Sequence, residues 1–300
     1  MREGFMTAAK NQFETDIRKK RRIRSAVITV FAVICAGALF TLLGFAHQHQ
    51  KDTVCRKVEI TVDAIDGLKF INEQRVLEFA QSATGGLEGK MVDSIDVAAI
   101  HQRLMDCSIV SHADVVTTVD GRCQIHVKQH KPVARIWNPD GSSFYLDSAG
   151  YTMEISDLAI VRLPVYLVQL NEPMIRGSVA DPEMDPQVLA KSTLDEIYRF
   201  NEFIRHDSFW RAQIDHVVVN AAGDFEMIPR VGNHVIRIGP AEELDLKFRK
   251  LMAFYQATVN HRDLNQYAVI SAQYDGQIVC QKKATPQPIN TESSSNPAKP

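Results

Sequence analysis

"VSHADVVTTVDGRCQIHVKQHKPVARI", residues 110–136, is the stretch on which the fold turns. Within it "ADVVTTV" and "QIHVKQH" each alternate apolar and polar positions with the period of two that marks a strand buried on one face. Between them stands "DGR", and Asp120 followed by Gly121 is a strong short-range signal for a tight hairpin. After the second strand the texture stays extended: "PVARIWN" starts a run of further strands. The hairpin therefore closes one module, and the residues from Pro132 open another.

Upstream, "RKVEITVD" places Val58, Ile60 and Val62 on one face of a short strand. A helix follows Asn72, a plausible N-cap, with Ile71 before it able to staple onto Val76; Val76, Leu77, Phe79 and Ala80 form its apolar stripe. Three glycines in "TGGLEGKMV" break that helix. Asp93 or Ser94 then caps a second one carrying Val97, Ile100 and Leu104. Strand, helix, helix and hairpin over residues 56–131 predict a three-stranded sheet with two helices on one face.

Downstream, "SFYLDSAGYTMEI" and "RLPVYLVQL" read as strands, and "NEPMIRGSVADPEMDP" as a loop rich in Pro, Gly and acids. Residues 187–204 carry Leu194, Ile197, Phe200 and Ile204 at helical spacing. "IDHVVVN", "DFEMIPRV" and "NHVIRIG" predict three strands, and a helix from about Glu242 aligns Leu244, Phe248, Leu251, Met252, Tyr255 and Val259. "YAVISAQY" and "QIVCQK" complete a mostly antiparallel β domain over 132–283. The tail 284–300 has no apolar periodicity and is expected to be disordered. The class expected is α+β.

The other end of the chain sets the compartment. Residues 25–46 are 22 positions without a charge, enough at about 1.5 Å per residue to cross a hydrocarbon core of about 30 Å. Arg18, Lys19, Lys20, Arg21, Arg22 and Arg24 precede this run, while only Lys51 and Arg56 follow it closely. Cations beside a span stay on the cytoplasmic side, so these six are its topology signal and residues 47–300 are expected outside. A cleaved signal peptide competes, since "GFA" at 44–46 offers small residues; the 24-residue basic leader and the long apolar run favour an uncleaved anchor. The leader carries +5 of a chain whose net charge is −2, leaving the rest at −7. An acidic exterior argues against nucleic acid or an anionic lipid surface as partner. The expected organisation is a leader 1–24, a span 25–46, a linker 47–55, the two modules and the tail.

Catalysis finds no seat in this pattern. His126 and His130 share a strand face with His112 across the hairpin, but two strand residues four apart are separated by roughly 13 Å, too far for one zinc ion. Ser142 and Ser143 lie in a turn without an activating motif, and Asp181, Glu183 and Asp185 read as a solvated acidic loop. No phosphate-binding loop, dinucleotide fingerprint or HExxH occurs. No cofactor, metal or small-molecule substrate is expected. Cys55, Cys107, Cys123 and Cys280 permit one or two bridges outside the membrane, and spacing does not select a pair.

Binding has one candidate. A last strand followed by an unpatterned tail leaves a sheet edge open to an incoming strand; alternatively the strand at 277–282 simply completes the sheet, guarded by Lys282 and Lys283.

The order of parts resembles the bacterial cell-division FtsQ/DivIB family: basic leader, one span, a POTRA-like module, a strand-rich domain, a polar tail. "VEITVDAIDGLKFINEQRV", the 110–136 stretch, "FYLDSAGYTM", "LPVYLV" and "QYDGQIVCQKK" carry the resemblance. It implies a non-enzymatic scaffold in the inner membrane at the division septum, its later domains periplasmic. It also implies that FtsB- and FtsL-like bitopic proteins bind the β domain on the way to the septal peptidoglycan synthase complex. In the family the FtsB contact adds a strand at the last strand. Tyr274, Asp275 and Gly276 match the family's aromatic, acid and glycine there, with Gln277, Ile278 and Val279 following as edge positions. Gln281, Lys282 and Lys283 stand where the family has a further aromatic. A periplasmic POTRA adaptor in secretion or envelope assembly, and an anchored envelope enzyme, are the competing readings.

Overall fold

The computed structural model describes residues 33–39, 41, 53–259 and 264–283. The six cations at 18–24, most of the expected span and the tail lie outside the described residues. Residues 33–39 are helical, and among the described residues no helix is long and apolar enough to cross a membrane.

Among the described residues the chain falls into two compact units: those up to Thr61 with Glu73–Leu104 and Ala113–His126, and Val62–Asn72 with Met105–His112 and those from Val127 on. One sheet has three strands. Its strands are β1 (Lys57–Val62), β2 (Val110–Thr117) and β3 (Arg122–Gln129) in the order β1-β3-β2, with helices α1 (Glu73–Thr84) and α2 (Val97–Met105) between β1 and β2. This is the βααββ order read from the sequence. In the first unit Val76, Ala80, Ile100, Leu104, Cys123 and Ile125 are fully buried. The cap of α2 is Asp96, whose Oδ1 accepts from Ala99 N at 2.9 Å, and not Asp93 or Ser94, which sit in a separate single turn before it. The hairpin turn is as expected: Thr118 N donates to Arg122 O at 2.9 Å and Gly121 N to Thr118 O at 3.0 Å. Gly121 has φ +83°, and a Cβ there would stand 2.4 Å from Val54 O, so only glycine fits.

The second unit is built on a nine-stranded sheet. Its strands are β4 (Pro132–Trp137), β5 (Ser143–Asp147), β6 (Thr152–Glu154), β7 (Val165–Val168), β8 (Ile214–Val219), β9 (Phe225–Pro229), β10 (Val235–Gly239), β11 (Tyr267–Ser271) and β12 (Val279–Lys282). They lie in the order β12-β11-β10-β9-β8-β7-β4-β5-β6. Five of the eight pairings are antiparallel; β4/β7, β7/β8 and β10/β11 are parallel. Parallel neighbours need long crossovers. The helices supply two of them: α3 (Pro186–Leu189), α4 (Leu194–His206) and α5 (Ser208–Gln213) between β7 and β8, and α6 (Leu244–Val259) between β10 and β11. The single helical stretch expected at 187–204 is thus two helices, and α5 was not expected at all.

Register explains the layering. Phe144, Ile136, Tyr166, Val217, Met227, Ile236, Ile270 and Cys280 follow one another strand by strand as Cα partners, and all but the half-buried Cys280 lie in the core. Helices α4 and α6 contribute the apolar partners Leu194, Ile197, Phe200, Ile204, Phe248, Leu251 and Tyr255 to the same core. Phe200 stacks on Phe225 with centroids 4.5 Å apart and meets Tyr166 edge-on at 6.5 Å, and Trp210 from α5 meets Phe248 edge-on at 5.2 Å.

Two polar clasps hold the frame. Asn138 Nδ2 donates to Glu172 O, and Glu172 N donates to Asn138 Oδ1, both at 3.0 Å. The buried Glu172 carboxylate accepts from Ser192 Oγ and Thr193 Oγ1 at 2.6 Å and from Thr193 N at 3.0 Å, placing an anion at the positive N-terminal end of α4.

Candidate functional site

Strand β12 is the outermost strand of the nine, so one side of its backbone faces no strand of the sheet. On its inner side it pairs antiparallel with β11 through Ser271↔Val279, Ile270↔Cys280, Val269↔Gln281 and Tyr267↔Lys282, with a register shift at Ala268. Lys283 N extends the pairing to Gln266 O at 2.9 Å. Ile278 and Cys280 pack against the core, and burial pushes the Cys280 thiol above its ordinary range. Val279 is 42% exposed.

Of the six positions singled out from sequence, only Val279 lies in the strand. Tyr274, Asp275, Gly276, Gln277 and Ile278 form the connection from β11, with Asp275 and Gly276 in its turn and Gly276 at φ +68°. The strand begins at Val279 rather than at 277. Tyr274 is 52% exposed, while its carbonyl is held from the helical side: Lys250 Nζ on α6 donates to Tyr274 O at 2.6 Å and to Ala272 O at 3.3 Å. Ala272 N donates to Arg237 O at 2.8 Å. Lys250 had no sequence signal, because a lysine on an amphipathic helix reads as a solvated one.

His234, directly before β10, is 4% exposed, with Nε2 2.8 Å from Tyr255 Oη and Nδ1 buried without a partner. Burial, and secondarily the Lys283 ammonium, hold its pKa below the usual histidine value. It is therefore a neutral ring at neutral pH.

The residues weighed for catalysis are dispersed. His130 Nδ1 lies 2.6 Å from Asp147 Oδ2, and Asp147 Oδ1 accepts from Ala149 N at 2.9 Å and Tyr151 N at 2.7 Å, so this carboxylate is committed to holding the turn after β5. The pair borders a cleft of about 760 Å³ within the second unit. His126 lies 4.0 Å from Asp114. Ser142 Oγ donates to Asp140 at 2.7 Å, and Ser143 Oγ accepts from Arg135. Asp181 and Asp185 accept from Glu183 N and Gln187 N, each at 2.9 Å, as turn and helix caps. Among the described residues no group of three His, Cys, Asp or Glu side chains could hold a metal ion. All five cysteines are thiols; Cys55 and Cys123 are both buried, and burial together with the neighbouring Cys55 pushes Cys123 up to about 11.

Two comparisons with known families bear on this architecture. A sequence model described as a POTRA-like domain matches residues 53–128. No curated protein matches the chain. The model described as FtsQ/DivIB, C-terminal related, matches residues 131–281, half of the chain, which takes in β4 to β11 of the larger sheet and β12 up to its last residue but one. The chain belongs to the FtsQ/DivIB family of bacterial cell-division proteins.

Proposed function

We propose that the protein is a non-enzymatic bitopic scaffold of the division machinery that links early and late division proteins and supports septal peptidoglycan synthesis. Its N-terminus is cytoplasmic, residues 25–46 anchor it in the inner membrane, and the POTRA-like and β domains stand in the periplasm. The six cations at 18–24 beside an uncharged run of 22 residues support that topology. FtsB- and FtsL-like bitopic proteins are its partners, the first adding a strand to β12, and the septal synthase complex is reached through them.

The observation that carries the reading is the place of β12 at the sheet edge, directly after an anchored turn in a chain of this family. An edge strand offers a row of backbone donors and acceptors to an incoming strand. Lys282 and Lys283 flank that row and favour an acidic partner segment while discouraging indiscriminate pairing.

A fluorescent fusion to the full chain, imaged in dividing cells, tests the reading together with copurification of an FtsB-like protein. Septal bands and copurification are expected. Uniform membrane signal in cells that are constricting, with no such protein recovered, would favour an envelope-assembly adaptor instead.

A further inference from the structure

The second face of the nine-stranded sheet carries a surface that the edge reading does not use. Trp137, Leu167 and Val218 are successive Cα partners across β4, β7 and β8, and Val165 joins Arg135 to His216 in the row beside them. Further along, Ile228 pairs with His216, and Val235 with Val269. All alternate with the buried row, so they point away from the helices. Trp137 is 41% exposed and Leu167 36%, and Val165, Val218, Ile228, Val235 and Val269 are half-buried. A sheet face left to water is ordinarily polar; this one carries seven apolar side chains over six strands, although the row through Trp137, Leu167 and Val218 continues into Glu226, Arg237 and Ser271.

Its charges are uneven. Arg237 Nε donates to Glu226 at 2.7 Å, and His216 lies 3.0 Å from Asp215. Arg135 is different. Its guanidinium lies 4.7 Å from the centroid of the Trp137 ring, Nη2 donates to the neutral Ser143 Oγ at 2.9 Å, and Nε is buried without a partner. Among the described residues no carboxylate pairs with it. The result is a fixed cation on an aromatic plate at one end of an apolar stripe.

We propose that this stripe docks one amphipathic helix of a partner protein, lying across the strands, with an acidic side chain set against Arg135 and Trp137. Six strands spaced about 4.8 Å apart span roughly 24 Å, which a helix of about 16 residues covers. A strand laid across the face would find no backbone groups to pair with, because those are used within the sheet. A second copy meeting the same face by two-fold symmetry would bring another Arg135, while its carboxylates there, Glu226 and Asp215, are already engaged by Arg237 and His216. The tail 284–300 has a single large aliphatic residue, Ile289, too little to cover the stripe.

The test uses the full chain in cells, with a photo-crosslinking benzoyl-phenylalanine in place of Leu167 and, separately, of Val218. Adducts are mapped to the residue by mass spectrometry. The proposal expects adducts on another polypeptide at positions three, four or seven apart, with an Asp or Glu at the end nearest Leu167. Arg135→Glu should lower the Leu167 adduct by about tenfold or more, since like charges meet. Lysine in place of the mapped acid should restore it. Should Arg135→Glu misfold, the surface change Trp137→Glu, read through the Val218 adduct, serves the same purpose. Adducts confined to residues 284–300, to a second copy or to lipid, adducts with a period of two, or none, would overturn the proposal.

Discussion

Lys250 Nζ stands 2.6 Å from the carbonyl oxygen of Tyr274 and 3.3 Å from that of Ala272, so a helix on the covered face pins the connection that leads into the exposed edge strand. Charge-assisted bonds of this kind contribute about 1.5 to 3 kcal/mol when well made. Here they set where the Asp275–Gly276 turn points. Lys250→Met should leave the protein folded yet weaken FtsB-like binding by about five- to tenfold, because the loosened connection must be ordered on binding. Lys250→Arg, which keeps the donors, should restore most of the affinity. Titration of partner peptide against the three proteins checks this, and equal affinities with equal melting curves would contradict it.

The Asn138 and Glu172 clasp makes a purely structural prediction. Asn138→Ala leaves Glu172 N and O inside the fold without partners, and an unpaired buried group costs about 1 to 3 kcal/mol. Glu172→Ala removes the anion at the head of α4, with loss in the same range. Urea midpoints of the two variants should fall in step with these figures without a change in slope.

The buried ring of His234 predicts a pH dependence with a definite sign. Burial depresses its native pKa below the unfolded value near 6.5, so the native state binds the proton less readily than the unfolded chain does. Its contribution to stability is intact above about pH 6.5 and is lost as pH falls through the unfolded value toward the native one. His234→Gln, which can still meet Tyr255 Oη, should flatten the stability profile between pH 7 and 5 by up to about 1.4 kcal/mol per unit. Parallel profiles for the two proteins would show that another group governs the acid limb.

Much of this fold was legible because it is written in local patterns. The 110–136 stretch announced a hairpin by alternation and a DG turn, and Gly121 occupies a position no side chain could enter. The three strands β8, β9 and β10 and the long helix α6 followed from periodicity alone. What was hidden depends on residues far apart in the chain. The parallel β4/β7/β8 pairing leaves no mark in any one segment, since a buried strand reads alike in either direction. Helix α5 is only six residues long, and its signal is the Asp207 cap accepting from Phe209 N and Trp210 N. At the candidate site, the family resemblance led to Tyr274, Asp275 and Gly276, whereas the strand begins at Val279. A DG dipeptide marks the turn into a strand and not the strand itself. Lys250 acts through a carbonyl 24 residues away and Arg135 through Ser143 on the next strand, and neither contact leaves a mark in the pattern of its own segment.

The most direct test of the scaffold account is the affinity of the full chain, in detergent, for the periplasmic segment of an FtsB-like protein, measured with wild-type protein and with Ile278→Pro and Tyr274→Glu. Circular dichroism and melting serve as fold controls. Proline at 278 removes a backbone donor and stiffens the entry to β12, and glutamate at 274 places a charge on the exposed connection. The account predicts measurable binding to wild type and loss of at least about tenfold in both folded variants. Undiminished binding in both would contradict the assignment of the β12 edge.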